Sequence, residues 1–550
     1  MVSNTIHPAA CLYADEFRRG ELSRREFLAR ATTLGVASAA AYGLIGVAQP
    51  VRAEGHAQVG GTIRIQSDVR PLKDPRTYDW PQMSNFSRGW LEYLVEYQRD
   101  GTITPMLLES WEVSDDATQY TLRVRPGVTW NDGTAFTAAD VAHNITRWCE
   151  QGVEGNSMAS RMASLSDAET GQAREGAITV TDDLTVTLTL NAPDITLIAG
   201  FSDYPAAIVP QEYDGGDPMA NPKGTGPYIP EELTVGIKSA MVLNEGHTWW
   251  GAEVFGGPFA DRIEYIDYGT DQAGHFAAAE SGEVDMLYES LGEFVDLMDT
   301  IGWDRTETVT ANTLVIRTNQ TAEVDGQTPY ADVRVRRALA LAVSNAVCLE
   351  LGYADRGEVA ENHHVCPIHP EYAELPPPET DPDAAAALMA EAGMADYEHE
   401  LISIDDNWRR DTCDAVAAQL RDAGIQVRRT ILPGNTFWND WLKYPFSATD
   451  WAQRPLGVQV LALAYRSGEA WNETAFANAE FDTALQEALS IADADKRREV
   501  SARLQEIMQA EGVVIQPYWR STYRHNRPGL VGAEQHPTFE IHVYKLGLAA

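Results

Sequence analysis

Positive charge is scarce in this chain. Its 550 residues carry 42 Lys and Arg against 81 Asp and Glu, a formal net charge of −39, and only six of the basic residues are Lys. Nucleic-acid binding needs basic patches that displace counterions from phosphates, so the balance argues against such a partner. It argues equally against an anionic membrane surface. Cysteine is sparse too: Cys11, Cys149, Cys348, Cys366 and Cys413, with no CxxC pair among them. Catalytic signatures are missing, for there is no GxGxxG, GxxxxGK[ST], HExxH or GxSxG. No repeat of 20–50 residues is present. No apolar run reaches the roughly 20 residues that a membrane span needs.

What remains is globular composition, 44% hydrophobic and 22% charged. At roughly 150 residues per domain, the length suggests about three to four domains.

The N-terminus reads as an address. Ser23-Arg24-Arg25-Glu26-Phe27-Leu28 precedes a weakly apolar run, Ala31 to Val47, and Val51-Arg52-Ala53 offers small residues at the −3 and −1 positions. This is the pattern of a cleaved signal peptide of the twin-arginine type, covering residues 1–53. The expected location is the periplasm, with a mature chain from Glu54. Cys149, Cys348, Cys366 and Cys413 would then sit where disulfides are permitted, with three possible pairings and free buried thiols as the alternative.

Strands and helices mix along the rest. Gly60-Gly61 turns into a strand at Ile63. Tyr120, Leu122 and Val124 alternate with polar residues, as in a half-buried strand. Thr137 to Asp140 forms a capping box ahead of Val141, Ile145 and Trp148 at helical spacing. Ile178 and Val180, a turn at Asp182-Asp183, then Val186, Leu188 and Leu190 predict a hairpin. Asp332 precedes a helix over Val333 to Val343. Asp381-Pro382 starts one that Gly393 stops, and Asp411 or Thr412 starts one that Gly424 ends. Ile425-Gln426-Val427 reads as a strand, and a long helix opens at Asp495 and ends at Gly512. The Pro376-Pro377-Pro378 run reads as a rigid surface connector.

Two clusters carry chemistry. His363-His364-Val365-Cys366-Pro367-Ile368-His369 could ligate a metal, but zinc sites usually join distant segments. A loop with locally bonded His residues is the simpler reading. Fourteen Trp and 21 Tyr form the second feature. Trp408-Arg409-Arg410, Asp450-Trp451 and Trp471-Asn472 place aromatic rings beside charged or polar groups in expected loops, a combination suited to a small-molecule or peptide pocket.

The chain resembles the family 5 extracellular solute-binding proteins of ABC importers, whose members take dipeptides, oligopeptides or nickel. Pro105-Met106-Leu107-Leu108-Glu109-Ser110-Trp111-Glu112-Val113-Ser114-Asp115-Asp116 matches that family's opening segment, and Tyr120 to Val141 continues it. Gly224-Thr225-Gly226-Pro227-Tyr228, Asn244 with Trp249-Trp250-Gly251, Val333 to Leu339, Asp381 to Gly393, and Phe476 to Asp482 follow in the family's order. The resemblance implies an α/β, two-lobe periplasmic-binding-protein-like (type II) fold with an additional domain inserted in the first lobe. Lobe I would comprise 54–100, 218–312 and 523–550, the inserted domain 101–217 and lobe II 313–522. The hinge would lie near Thr313–Asn319 and Ile515–Tyr523.

It also implies a site. Asp450 occupies the position that holds a peptide's amino group. The family continues there with Asp-Pro, whereas this chain has Arg454-Pro455. Trp408, Trp451 and Trp471 are candidate walls. Arg409 or Arg454 could hold a carboxylate, and His364 is a further candidate. The expected function is capture of peptides or peptide-like solutes by a monomer that delivers them to ABC permease and ATPase subunits. No catalysis, cofactor or metal is expected. The alternatives are an opine, an oligosaccharide, nickel or a metal chelate as ligand, or a secreted hydrolase.

Overall fold

The computed structural model describes residues 6–47, 57–114, 116–369, 371–491 and 494–550. Its backbone is one twelve-stranded mixed sheet that serves both lobes. In spatial order the main path runs 427–432, 399–404, 446–451, 304–318, 518–526, 286–287, 62–66, 262–266, 238–243 and 228–234. Parallel pairs lie on both sides. The strand at Thr62–Gln66 runs parallel to Arg262–Ile266, and His399–Ile404 runs parallel to Val427–Leu432.

Two long antiparallel strands join these halves. Asp304–Thr318 pairs with Tyr518–Asn526 over residues 304–309, breaks register between Val309 and Asn312, then pairs with Phe446–Trp451 over Thr313 to Thr318. Such a bulge bends a strand and raises its local twist.

Several elements form where local chemistry places them. Thr137 and Asp140 make a full capping box on the helix Ala138–Trp148. Asp332 and Asp381 cap Val333–Leu341 and Pro382–Glu391. Tyr120, Leu122 and Val124 are buried on their strand, and Ile178–Asp182 pairs with Thr185–Thr189 as a hairpin. That hairpin completes a separate four-stranded sheet between residues 108 and 189. Gly224 and Gly226 pack backbone against backbone. A Cβ on Gly224 would stand 1.9 Å from the Trp90 carbonyl oxygen, and one on Gly226 would stand 2.6 Å from that of Gly89.

Two expectations need correction. The helix expected from Asp411 or Thr412 begins at Asn407, because the Asp406 carboxylate accepts the Arg409 amide as N-cap. The strand expected at 425–427 starts at Val427 and runs to Leu432. Of the two alternatives open for the cysteines, the structure takes free thiols: all five Cys are unpaired, and Cys149, Cys348, Cys366 and Cys413 are buried.

The N-terminal residues form three short helices, Pro8–Arg19, Arg24–Thr33 and Ser38–Leu44. Arg24 and Arg25 open the second, whose N-cap is Ser23 in a capping box with Glu26. These helices lie on the body: Trp111 donates its indole N–H to the Thr33 carbonyl at 2.9 Å, and Tyr42 donates to Asp100 at 2.7 Å. Val51-Arg52-Ala53 lies outside the described residues. No helix among the described residues is long and apolar enough to cross a membrane.

Candidate functional site

The strand Phe446–Trp451 ends beside the crossing strand, with Asp450 opposite Leu314 and Trp451 opposite Thr313. The Trp451 indole turns inward and donates to the buried Glu473 carboxylate at 2.8 Å. Glu473 also accepts from Thr449 and from Arg317 Nε at 2.9 Å, and Arg317 is wholly enclosed. This buried pair orients one wall of the cleft.

The neighbouring side chain, Asp450, stays half-buried and lines a cavity of about 130 Å³. Arg409, in the first turn of Asn407–Asp422, approaches it. Arg409 Nε and Nη2 both lie 2.9 Å from Asp450 Oδ1, and the same guanidinium grips Asp406. Burial works against the charge on Arg409, but Asp406 and Asp450 outweigh it and raise its pKa. Burial also raises the Asp406 and Glu289 carboxyls above the usual range, although Arg409 and Arg520 respectively oppose this.

Aromatic rings supply the rest of the lining. Trp80 meets Trp438 and Trp441, with ring centroids 4.1 and 5.7 Å apart. Arg70 stacks over Trp80 and Trp438 at 5.4 and 5.9 Å. Tyr204 stacks on Trp471 at 5.8 Å. Arg454 reaches across to Asp203, which Arg161 also grips. Burial would raise the Asp203 carboxyl, yet the two guanidiniums hold it below the ordinary value.

Of the residues singled out in the sequence, Asp450, Trp451, Arg409, Arg454 and Trp471 come together on this cavity. Trp408 and His364 do not. Trp408 is the neighbour of Arg409 on a helix rather than in a loop, so it turns about 100° away. It is buried against Tyr353, with Arg520 over its ring at 3.8 Å. His364 is buried behind Trp451, with Nδ1 2.7 Å from the Tyr465 hydroxyl.

The other loop histidines are also spent locally. His363 Nε2 lies 3.0 Å from Glu361, and His369 Nδ1 accepts the Cys366 amide at 3.0 Å. Among the described residues, the His and Glu ligand atoms that converge are those of His536, Glu540 and His542 instead. That group is already satisfied as a polar network: the His542 Nε2 faces Glu96 and Glu540, and Lys545 lies 2.8 Å from its Nδ1.

Sequence reasoning missed Trp80, Trp438, Trp441, Asp406, Glu289 and Asp203. The run Asp405-Asp406-Asn407 carried a usable signal, since an acid before a helical period marks a cap. The others come from segments far apart in the chain, and no local pattern marks them.

The comparisons agree with this architecture. The family model for bacterial extracellular solute-binding proteins, family 5 (middle), matches residues 102–472. A dipeptide-binding protein, DppE of Bacillus subtilis (strain 168), is 22% identical over 494 residues, spanning 83% of this chain and 86% of its own. The structure of Haemophilus influenzae OppA in complex with RPPGFSPFR superposes with a TM-score of 0.80 at 19% identity, covering 90% of this chain and all of that one. The structure of AgaA from A. tumefaciens R10 in complex with agropinic acid gives 0.76 at 20% identity, covering 89% and 99%. These likenesses establish the two-lobe α/β fold. The chain belongs to the family 5 bacterial extracellular solute-binding proteins.

Proposed function

We propose that this protein is the substrate-binding subunit of an ABC importer and captures peptides or peptide-like solutes. The observation that carries the reading is Asp450. Its carboxylate stands half-buried on the lining of the cavity, and both Arg409 contacts end on Oδ1 rather than Oδ2. A ligand ammonium placed there gains a charge-assisted hydrogen bond. Trp451, Trp471 and the Trp80–Trp438 pair provide apolar walls. Arg409 supports Asp450 and Arg454 supplies a cation on the same cavity. Closure of the lobes about the crossing strands follows from tighter ligand contact in the closed form than in the open one. The closed form then docks on the permease. No turnover enters this scheme.

Residues 1–53 serve as a twin-arginine-type leader in this proposal, and the working compartment is the periplasm. N-terminal sequencing of the exported protein is expected to start near Glu54. An uncleaved chain there would overturn the leader assignment.

The binding reading is tested by a thermal-shift screen of exported protein stripped of carried-over ligand. The panel holds di- to pentapeptides, opines, oligosaccharides, and nickel with and without chelators. A ligand at 100 times its dissociation constant stabilises by about 2.7 kcal/mol. A shift with peptides, lost in Asp450→Asn, is the expected result. A shift with opines alone would transfer the reading to that ligand class, which the AgaA likeness and the arginines of the cleft favour as the second choice.

A further inference from the structure

The N-terminal residues build a small core of their own and dock it on the rest of the chain. The helices Pro8–Arg19, Arg24–Thr33 and Ser38–Leu44 enclose Tyr13, Phe27, Leu28 and Tyr42, and Val113 packs against that cluster. Recognition as a leader requires only a charged start, an apolar stretch and a cleavage site. A folded, docked segment goes beyond that. Its contacts reach distant parts of the chain. On one side, Ile103 donates its amide to Thr32 Oγ1 at 2.8 Å, and His7 Nε2 lies 3.3 Å from the Ser114 carbonyl oxygen. Gly35 lets two backbones meet there: its φ is +83°, and a Cβ would stand 2.3 Å from the Trp111 carbonyl oxygen. In the middle, Arg25 lies against Gly101 and donates to the Val309 carbonyl at 3.4 Å, where the strand Asp304–Thr318 breaks register. On the other side stand Cys366, His369 and Glu371, with Arg497 of the helix Ala494–Ala510 held 2.9 Å from Glu371. Burial raises the Cys366 thiol and lowers the His369 imidazole, and the charge of Arg25 reaches both. Burial pulls the Arg30 guanidinium down to about 10, with Arg497 adding to the fall and Glu371 opposing it. Such influence fades beyond about 10 Å. By the expected boundaries, Trp111 and Ser114 belong to the inserted domain, and Cys366 to Arg497 belong to lobe II.

We infer that residues 6–47 are a strap that braces the bend in the strand Asp304–Thr318 and withholds ligand capture until the segment is removed. This goes beyond the leader and peptide readings and rests on both. A chain held across its bend cannot make the change of shape on which tight capture depends, so it binds only in its released fraction. Release is easy by construction. Arg25 Nε and Nη2 are enclosed without a hydrogen-bond partner, and donors left in that state regain water on undocking. The docked state therefore leans on the covalent connection through residues 48–56, which holds the segment at an effective concentration on the order of millimolar. Cutting that connection removes the advantage without touching any residue of the cleft.

The test uses the full chain with a protease site placed within residues 48–56, purified uncut and then cut in dilute solution. The probe is the tightest-binding peptide of the di- to pentapeptide panel. Cutting is expected to raise its affinity roughly 10-fold or more in calorimetry. Read without ligand, hydrogen exchange of the amides in Asp304–Thr318 should quicken roughly 10-fold on cutting. Gly35→Ala, left uncut, should behave as the cut chain, because its Cβ has no room against Trp111. Gly43→Ala is the control: it lies in the helix Ser38–Leu44, its Cβ meets nothing within 4 Å, and it should behave as the uncut wild type. Melting of each variant reports folding separately. Equal peptide affinity before and after cutting overturns the strap and leaves the peptide reading standing. If no peptide binds either form, the peptide reading falls and exchange decides the strap, which unchanged rates over Asp304–Thr318 overturn. Exported protein that still carries residues 6–47 overturns the leader reading and, with it, release by removal.

Discussion

At the scale of single residues, the cleft depends on side chains whose environment leaves them little choice. Asp450 is the clearest. Asp450→Asn keeps the shape but removes the charge, so peptide affinity should fall about 10- to 100-fold with unliganded stability nearly unchanged. Calorimetry on the variant checks this, and unchanged affinity would remove Asp450 from the site. Glu473 makes the complementary case for stability. It accepts from Arg317, Thr449 and Trp451, and neither it nor Arg317 reaches solvent appreciably. Glu473→Ala leaves a buried guanidinium without its counter-charge and should destabilise by about 3–5 kcal/mol in urea unfolding. A loss below about 1 kcal/mol would mean that the carbonyls of Trp441 and Tyr444, which Arg317 also contacts, suffice.

At the scale of elements, caps and close backbone approaches explain why local sequence reads so directly into structure. Asp332 and Asp381 ahead of their helices are legible because capping chemistry needs a short side-chain acceptor at one defined position. The start of Asn407–Asp422 was misplaced because Asp406, Asp411 and Thr412 can all cap. The choice falls to Asp406, since a helix from Asn407 buries Trp408 in a core with Tyr353, Leu401 and Tyr518. The Gly224-Thr225-Gly226-Pro227-Tyr228 turn owes its glycines to packing on Gly89 and Trp90. Gly226→Ala would press Cβ against a carbonyl oxygen and should cost about 1–3 kcal/mol. Gly274→Ala is the contrast. It lies inside the helix Gln272–Ser281, its Cβ would meet only the Tyr268 carbonyl at 4.0 Å, and it should stabilise by about 0.5–1 kcal/mol. Thermal melting of the two variants should therefore move in opposite directions.

At the scale of the whole molecule, one twelve-stranded sheet runs through the strands Asp304–Thr318 and Tyr518–Asn526, and the proposed closure would bend the molecule there. The lobes already touch: Thr270 donates to the Asp405 carbonyl at 2.8 Å. Small-angle scattering should show a smaller radius of gyration on adding peptide, and an unchanged radius would argue against closure. Acid stability is also a property of the fold. His399 is wholly enclosed, and burial lowers its pKa to about 4. The unfolded chain, titrating near 6.5, binds more protons between those values, so this group's contribution is full above about pH 6.5 and is lost as pH falls toward 4. Between pH 7 and 4.5 the wild type should lose about 2 kcal/mol relative to His399→Gln. Parallel stability curves for the two proteins would refute the assignment.

The sequence by itself determined the family, through ordered motifs that act over a few residues, and by that resemblance it pointed to Asp450, Trp451, Arg409, Arg454 and Trp471, which line one cavity. Tertiary structure alone decided the pairing of Asp450 with Arg409, the sharing of Asp203 by Arg161 and Arg454, the Trp80–Trp438 wall, and the retreat of Trp408 and His364 into the core. Each of these joins or separates side chains by the way distant strands cross. Charge balance in a buried cleft is likewise set by which segments meet there, and no local pattern records it.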